Sequence, residues 1–252
     1  MMITLQDLFQ HLQQLLSPED FSDYCPNGLQ VEGKKEIEKV CFAVSASLAT
    51  IEEAVKKEAD ALIVHHGIFW QKDPYVIVGT KRKKIELLLK NKTSLLAYHL
   101  PLDAHPRVGN NWKAAFDLGM DELQPFYSLG KKALGVKGTI APTSVKDFTK
   151  KLEAYYGHPA HVALGGKKEV RSAAIISGGA HRYIDQAADE QIDCYITGSF
   201  DEPIWDIAHE RKINFFALGH YSTERVGILA LMAEVQKQFR LSCEFIDLFN
   251  PF

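Results

Sequence analysis

Ala61-Leu62-Ile63-Val64 runs straight into His65-His66-Gly67. Four apolar residues in a row read as a buried strand, and in open α/β sheets ligands lie beyond the carboxyl ends of the strands. Two adjacent imidazoles there are costly to desolvate without a shared partner, and a metal ion is such a partner. Two further strand-like runs end in comparable residues. Residues 94–98 lead into His99-Leu100-Pro101-Leu102-Asp103-Ala104-His105-Pro106, and residues 215–218 into Gly219-His220-Tyr221-Ser222-Thr223-Glu224. His220 and Glu224 are four apart, so they share a face if a helix starts there, and a helix N-terminus favours an ionised carboxylate. Three or four imidazoles with two carboxylates differ from the thiolate-rich four-ligand set of a structural zinc. They suit two metals bridged by a carboxylate, with room for water, as in a hydrolytic site. Imidazole plus carboxylate fits Zn, Fe or Mn.

The elements that must position these residues follow from periodicity. Residues 4–16 read as an amphipathic helix with Thr4 and Asp7 spaced as a capping box. Residues 28–31 are a short extended piece, 40–45 a strand and 50–58 a helix. Residues 81–90 form another helix, with Ile85, Leu88 and Leu89 inward, and 110–118 a further one. Residues 119–132 hold Gly, Pro, Asp and Lys and read as a connection between halves. Beyond it, 134–140 is strand-like and 144–156 a helix that Ser144 caps, broken at Gly157. Short strands follow at 160–164, 173–176, 194–197 and 215–218, with helices at 183–190, from Pro203, and over 225–239. Strands alternating with helices indicate βαβ units and a largely parallel sheet. A faint repeat supports two similar halves: 40–43 and 61–64 are spaced like 173–176 and 194–197, and the helices between them end in similar acidic and apolar turns, Glu58-Ala59-Asp60 and Gln191-Ile192-Asp193. The expected division is 1–128 and 129–252.

The 252 residues carry a net charge of −3, with 46% hydrophobic and 24% charged residues, as in ordinary globular chains. No basic field argues for nucleic acid, and no apolar run approaches the roughly 18 residues that span a bilayer. No cationic stretch precedes an apolar one at the N-terminus, so a cytoplasmic location is expected. Cys25, Cys41, Cys194 and Cys243 lie far apart, which suits buried free thiols in a reducing compartment and disfavours a thiolate metal site.

Four separated motifs, in order, carry a resemblance. Asn27-Gly28-Leu29-Gln30-Val31, His65-His66-Gly67-Ile68-Phe69-Trp70, His99 to Pro106, and Gly219-His220-Tyr221-Ser222-Thr223-Glu224-Arg225 resemble the Nif-three-like (YbgI-type) dinuclear-metal family, many of whose members are labelled GTP cyclohydrolase 1 type 2 homologues. The resemblance spans essentially the whole chain. It implies two divalent ions held by His65, His66, Asp103, His220 and Glu224, with Glu224 bridging. It also implies two similar three-layer α/β/α domains with largely parallel mixed sheets, the metal site in the cleft between them, and a toroidal hexamer. One departure stands out: the family commonly has Glu after the Thr-Gly of the second half, whereas Thr197-Gly198 is followed here by Ser199. Glu202 or Asp201 could take that role.

The activity expected is metal-dependent hydrolysis of a small molecule, with His99 or Asp103 handling the proton. The resemblance points to opening of a purine nucleotide ring such as that of GTP. A phosphoesterase or peptidase would use the same ligands, and a non-enzymatic metal-binding or regulatory protein is the alternative of a different class. His99 reads either as an acid–base group or as a partner of Asp103. His105 either points at the site or sits in a turn, and Trp70 and Tyr221 either stack on a base or pack at a contact. Ser177-Gly178-Gly179 could cradle phosphate through backbone N–H groups or be a plain turn. His11, His158, His161, His181 and His209 read as surface or packing residues.

Overall fold

A computed structural model describes residues 2–129 and 132–252. The chain divides into two compact units, 1–102 with 228–249, and 103–227 with 250–252. That division departs from a break at residue 128: residues 103–128 belong with the second unit, and 228–249 return to the first.

In the first unit β1 (Ile3–Thr4) leads into α1 (Leu5–Leu16). The Thr4 hydroxyl accepts from the Asp7 N–H at 3.1 Å and the Asp7 carboxylate accepts from the Thr4 N–H at 3.2 Å, the expected capping box. Leu5, Leu8, Leu12 and Leu16 form its buried stripe. There follow β2 (Gly28–Val31), β3 (Glu36–Ile37), β4 (Lys39–Ser45), α2 (Leu48–Lys56), β5 (Ala61–His66), α3 (Gly79–Lys90), β6 (Ser94–Ala97) and α4 (Leu100–Ala104). β4, β5 and β6 pair in parallel, and β2 adds to β6 antiparallel. Ala61 through His65 are all buried, so both faces of β5 are covered, as a parallel sheet between helices requires. α3 departs from expectation in one residue: Leu88 is buried and Ile85 partly so, but Leu89 is 56% exposed.

The second unit holds α5 (Asn110–Asp117), β7 (Asp121–Leu129), β8 (Lys132–Ser144), α6 (Val145–Tyr156), β9 (His161–Leu164), β10 (Glu169–Ile175), α7 (Ile184–Asp189), β11 (Cys194–Thr197), α8 (Ile204–Arg211) and β12 (Asn214–Ala217). Its sheet order is β7-β8-β10-β11-β12-β9, with β10, β11 and β12 parallel. The stretch 119–132 is therefore no connection: most of it is the edge strand β7, while Gly130 and Lys131 lie outside the described residues. Pro125 lacks an N–H and Glu122 and Tyr127 have positive φ, features that an edge strand tolerates and that disguise it in the sequence.

α9 (His220–Phe239) belongs to the second unit up to Gly227 and to the first from Ile228, and β13 (Ser242–Phe245) then pairs in parallel with β4. No helix among the described residues is long and apolar enough to cross a membrane.

Candidate metal centre

In the first unit three imidazoles sit at strand ends. His65 and His66 close β5, and His99 follows β6 by two residues. One ligand atom from each lies within 4.8 Å of the others. The His65 and His66 rings are 4.6 Å apart, and His65 and His99 4.9 Å apart. Each ring is held through Nδ1. That of His65 lies 3.0 Å from the carbonyl of Tyr98, which can only accept, so Nδ1 carries the proton and Nε2 the lone pair. That of His66 lies 2.9 Å from Ser45 Oγ. That of His99 donates to Asp23 Oδ1 at 2.9 Å.

Sequence reasoning passed over Asp23, 76 positions from its partner. Its carboxylate also accepts from Asn27 Nδ2 at 2.9 Å and the Leu100 N–H at 3.0 Å, while Asn27 Oδ1 accepts the His99 N–H at 2.7 Å. Burial would raise its pKa, but the His99 hydrogen bond and charge, with those from Asn27 and Leu100, outweigh it and hold the carboxyl at about 2. Asn27, singled out for the motif it belongs to, thus positions His99. Trp70 packs edge-on against His99 with centroids 5.4 Å apart and tilts against His66 at 5.8 Å, so it walls these imidazoles.

In the second unit His220 opens α9, as the spacing to Glu224 requires. His220 Nε2 lies 3.1 Å from Glu224 Oε1, and Glu224 is 3% exposed. A carboxylate so buried beside a ring nitrogen needs a shared cation or a proton on the ring, and a divalent ion meets that need. Asp103 and Glu224 each offer an oxygen within 4.8 Å of the other. Asp103 Oδ1 accepts from Asn110 Nδ2 and Ser177 Oγ, both at 2.8 Å, which fixes the orientation of the carboxylate. Asn110 Oδ1 in turn accepts the Gly227 N–H at 2.6 Å.

The glycines explain how a helix start fits over strand ends. A Cβ on Gly178, at φ +65°, would stand 2.2 Å from Glu224 Oε1 and 3.1 Å from His220 Nε2. A Cβ on Gly198 would stand 2.6 Å from Thr223 Oγ1. The Ser177 N–H is spent on Asn111 Oδ1 and the Gly178 N–H on Thr223 Oγ1. The Ser177-Gly178-Gly179 turn is therefore no phosphate cradle; it makes room for His220 and Glu224. Ser199, where the family commonly has Glu, lies with its Oγ 3.2 Å from His220 Nδ1. With Nε2 on a metal, Nδ1–H donates to that hydroxyl, so Ser199 orients the ring.

The remaining candidates fall elsewhere. His105 Nδ1 accepts the backbone N–H groups of Arg107 and Val108, both at 3.1 Å, and serves a turn. Tyr221 is buried, with the Arg225 guanidinium 5.9 Å from its ring centre. Burial pushes the Cys41 and Cys243 thiols up to about 11 and that of Cys194 higher, and none of these three falls in a cluster of metal-ligating side chains among the described residues, whereas Cys25 stands with Asp23 and His99.

The imidazoles held through Nδ1 and the two buried carboxylates are candidate metal-binding groups on α/β units, and comparison with known proteins agrees in fold. The Duf34/NIF3 (NGG1p interacting factor 3) family model matches residues 3–251, and the chain belongs to that family. It is 51% identical over 252 residues to the GTP cyclohydrolase 1 type 2 homolog of Chlamydia trachomatis, covering 99% of this chain and 100% of that one. The Haemophilus influenzae protein of the same name is 41% identical, covering 97% and 98%. Among solved structures, protein ybgI superposes with a TM-score of 0.94 at 38% identity, covering 99% and 100%. TTHA1606 from Thermus thermophilus superposes at 0.91 with 33% identity, over the same shares.

Proposed function

We propose that His65 and His66 of the first unit and Asp103, His220 and Glu224 of the second hold two divalent ions, Zn, Fe or Mn, and that the protein is a metal-dependent hydrolase of a purine nucleotide, GTP being the first candidate. The observation that carries this reading is the common anchoring of the imidazoles: Nδ1 of His65, His66 and His220 each meets an oxygen, which turns Nε2 outward as a ligand atom. Neither unit alone offers a complete set for two ions, and Glu224 with two carboxylate oxygens suits a bridge. The names of the relatives supply the substrate class.

Divalent ions bound there supply Lewis acidity, which makes a water nucleophilic near neutral pH and polarises the bond it attacks. The chain's own residues do the rest. Asp23 and Asn27 hold His99 so that its Nε2 is the nitrogen left to exchange a proton with water or substrate. Asn110 and Ser177 fix the direction of Asp103. Trp70 excludes water from one side of the imidazoles.

The test is absorbance-monitored opening of the guanine ring of GTP by metal-loaded protein, beside a panel of phosphoesters and peptides. Metal-dependent GTP turnover that falls at least about a hundredfold in Glu224→Ala is expected. Turnover unchanged in that variant contradicts the metal assignment, whereas no hydrolysis of any panel member contradicts the hydrolase and leaves a metal-binding or regulatory protein. The hexamer belongs to the same reading, and light scattering showing a single chain would remove it.

A further inference from the structure

A concave site in the second unit is lined by none of the candidate ligand side chains and lies on the same loop as Ser199. It has a volume of about 200 Å³ and is lined by His161, Phe200, Asp201, Glu202, Trp205 and Phe215 among others. Phe200 and Trp205 are 51% and 59% exposed, two large aromatic faces kept in water. The Phe200 ring is tilted by 34° against that of His161, with centroids 4.7 Å apart. Asp201 is engaged with His181 and Arg182 at 3.3 and 3.7 Å, whereas the carboxylate of Glu202 makes no hydrogen bond or ion pair among the described residues. No Lys or Arg lines the cavity, so its chemistry opposes a phosphate.

We propose that this cavity binds a flat heteroaromatic base of the guanine type, stacked on Phe200 and Trp205, with its N–H edge donated to Glu202. Aromatic faces take any base, but a carboxylate with two acceptor oxygens selects a ring with two adjacent donors. Guanine presents N1–H beside its 2-amino group; hypoxanthine keeps only N1–H, and adenine presents an acceptor at N1. The volume holds a ring system and not a whole nucleotide. Continuity with the metal-binding side comes through the chain: Ser199, whose hydroxyl meets His220 Nδ1, immediately precedes Phe200. The choice of a purine rests on the nucleotide reading given above.

The experiment is calorimetric titration of the full-length, metal-loaded protein with guanosine, inosine and adenosine, repeated on Glu202→Gln and Trp205→Ala, with bound metal and molecular mass measured on each. Saturable guanosine binding is expected, about tenfold weaker for inosine and undetectable for adenosine. Glu202→Gln and Trp205→Ala each weaken guanosine by about tenfold or more and leave the metal content unchanged. No guanosine binding to the wild type, or equal affinity in Glu202→Gln, overturns the assignment. So does a Trp205→Ala variant that changes the molecular mass and leaves guanosine affinity intact, which makes the cavity a contact between copies. The two readings fail separately. Guanosine bound through Glu202 by a protein that holds no metal sinks the hydrolase and keeps the cavity, whereas metal-dependent GTP turnover indifferent to Glu202 sinks the cavity alone.

Discussion

The two units use one scaffold and fill its strand ends differently. Each contains a run of three parallel strands, β4-β5-β6 and β10-β11-β12, with an antiparallel strand beside the third, β2 in one and β9 in the other; β13 adds a further parallel strand to the first. Register partners across the first two strands are Val40 with Ala61 and Ala173 with Cys194, the same offset. The helix between them ends in a left-handed residue, Glu58 at φ 55° and Gln191 at φ 58°. An aspartate then pins the neighbouring strand: Asp60 accepts the Glu38 and Lys39 N–H groups, and Asp193 accepts that of Arg171. After this the units part. The second strand ends in His65-His66 in one unit and in Gly198-Ser199 in the other. The third runs into the short α4 after His99, but into the long α9 at His220. Where the strand end itself carries the imidazoles, as at His65 and His66, it can be bulky; where a helix brings His220 and Glu224, the strand ends must be glycine. Chemistry is thus set by residue size and type at equivalent places, on a frame that stays constant.

Breaking the size rule gives the largest effect. Gly178→Ala pushes a methyl into Glu224 and adds a left-handed alanine, so it costs about 2 kcal/mol or more of stability and about tenfold or more in metal affinity. Gly179→Ala, whose Cβ would meet only the His220 ring, at 3.5 Å from Cε1 and 3.8 Å from Nδ1, leaves both nearly unchanged. Denaturant titration and competition with a chelator measure the pair. Equal behaviour of the two alanines would dissolve the distinction between the units.

The shared aspartates come next. Asp60→Ala abandons two backbone donors and the Lys34 ion pair, and costs about 2 kcal/mol; Asp193→Ala abandons one backbone donor and the Lys167 ion pair, and costs about 1. Thermal melts rank them. A costlier Asp193→Ala reverses the assignment of the better-pinned strand.

Asp23 marks what the first unit adds. Its folded pKa, about 2, lies below the 3.8 of a free aspartate, so its stabilisation is full above about pH 4 and is lost as the pH falls through 2. Asp23→Asn is therefore about 1–2 kcal/mol less stable than the wild type at pH 6, and the gap narrows toward pH 2. A constant gap across urea titrations at both ends would show that the loss is steric. The smallest effect is expected of Ser199→Ala. The His220 side chain is 39% exposed, so water replaces the lost hydroxyl and metal affinity falls only about threefold. A drop above about a hundredfold in chelator competition would make Ser199 more than an orienting residue.

Much of this frame was legible in the sequence. Apolar runs ending in His65-His66, in His99 and in Gly219-His220 gave strands and candidate ligands together, because strand and site are contiguous in the chain. The capping of α1 and α6 was legible for the same local reason. The anchors were not: Asp23 reaches His99, Ser177 reaches Asp103 and Ser45 reaches His66 across 76, 74 and 21 positions, as single polar residues without any period. The break between units escaped as well. α9 changes unit midway, and the pairing of β13 with β4 joins residues some two hundred positions apart, which no local pattern announces.

The reading proposed for His65, His66, Asp103, His220 and Glu224 is that together they hold two ions per chain. Bound metal per chain, measured by plasma mass spectrometry on untagged protein, tests it in His65→Ala, Glu224→Ala and the wild type. The account predicts about two ions per chain in the wild type and a loss of metal in both variants, one from each unit. One ion or none in the wild type, or a content indifferent to either substitution, would contradict it.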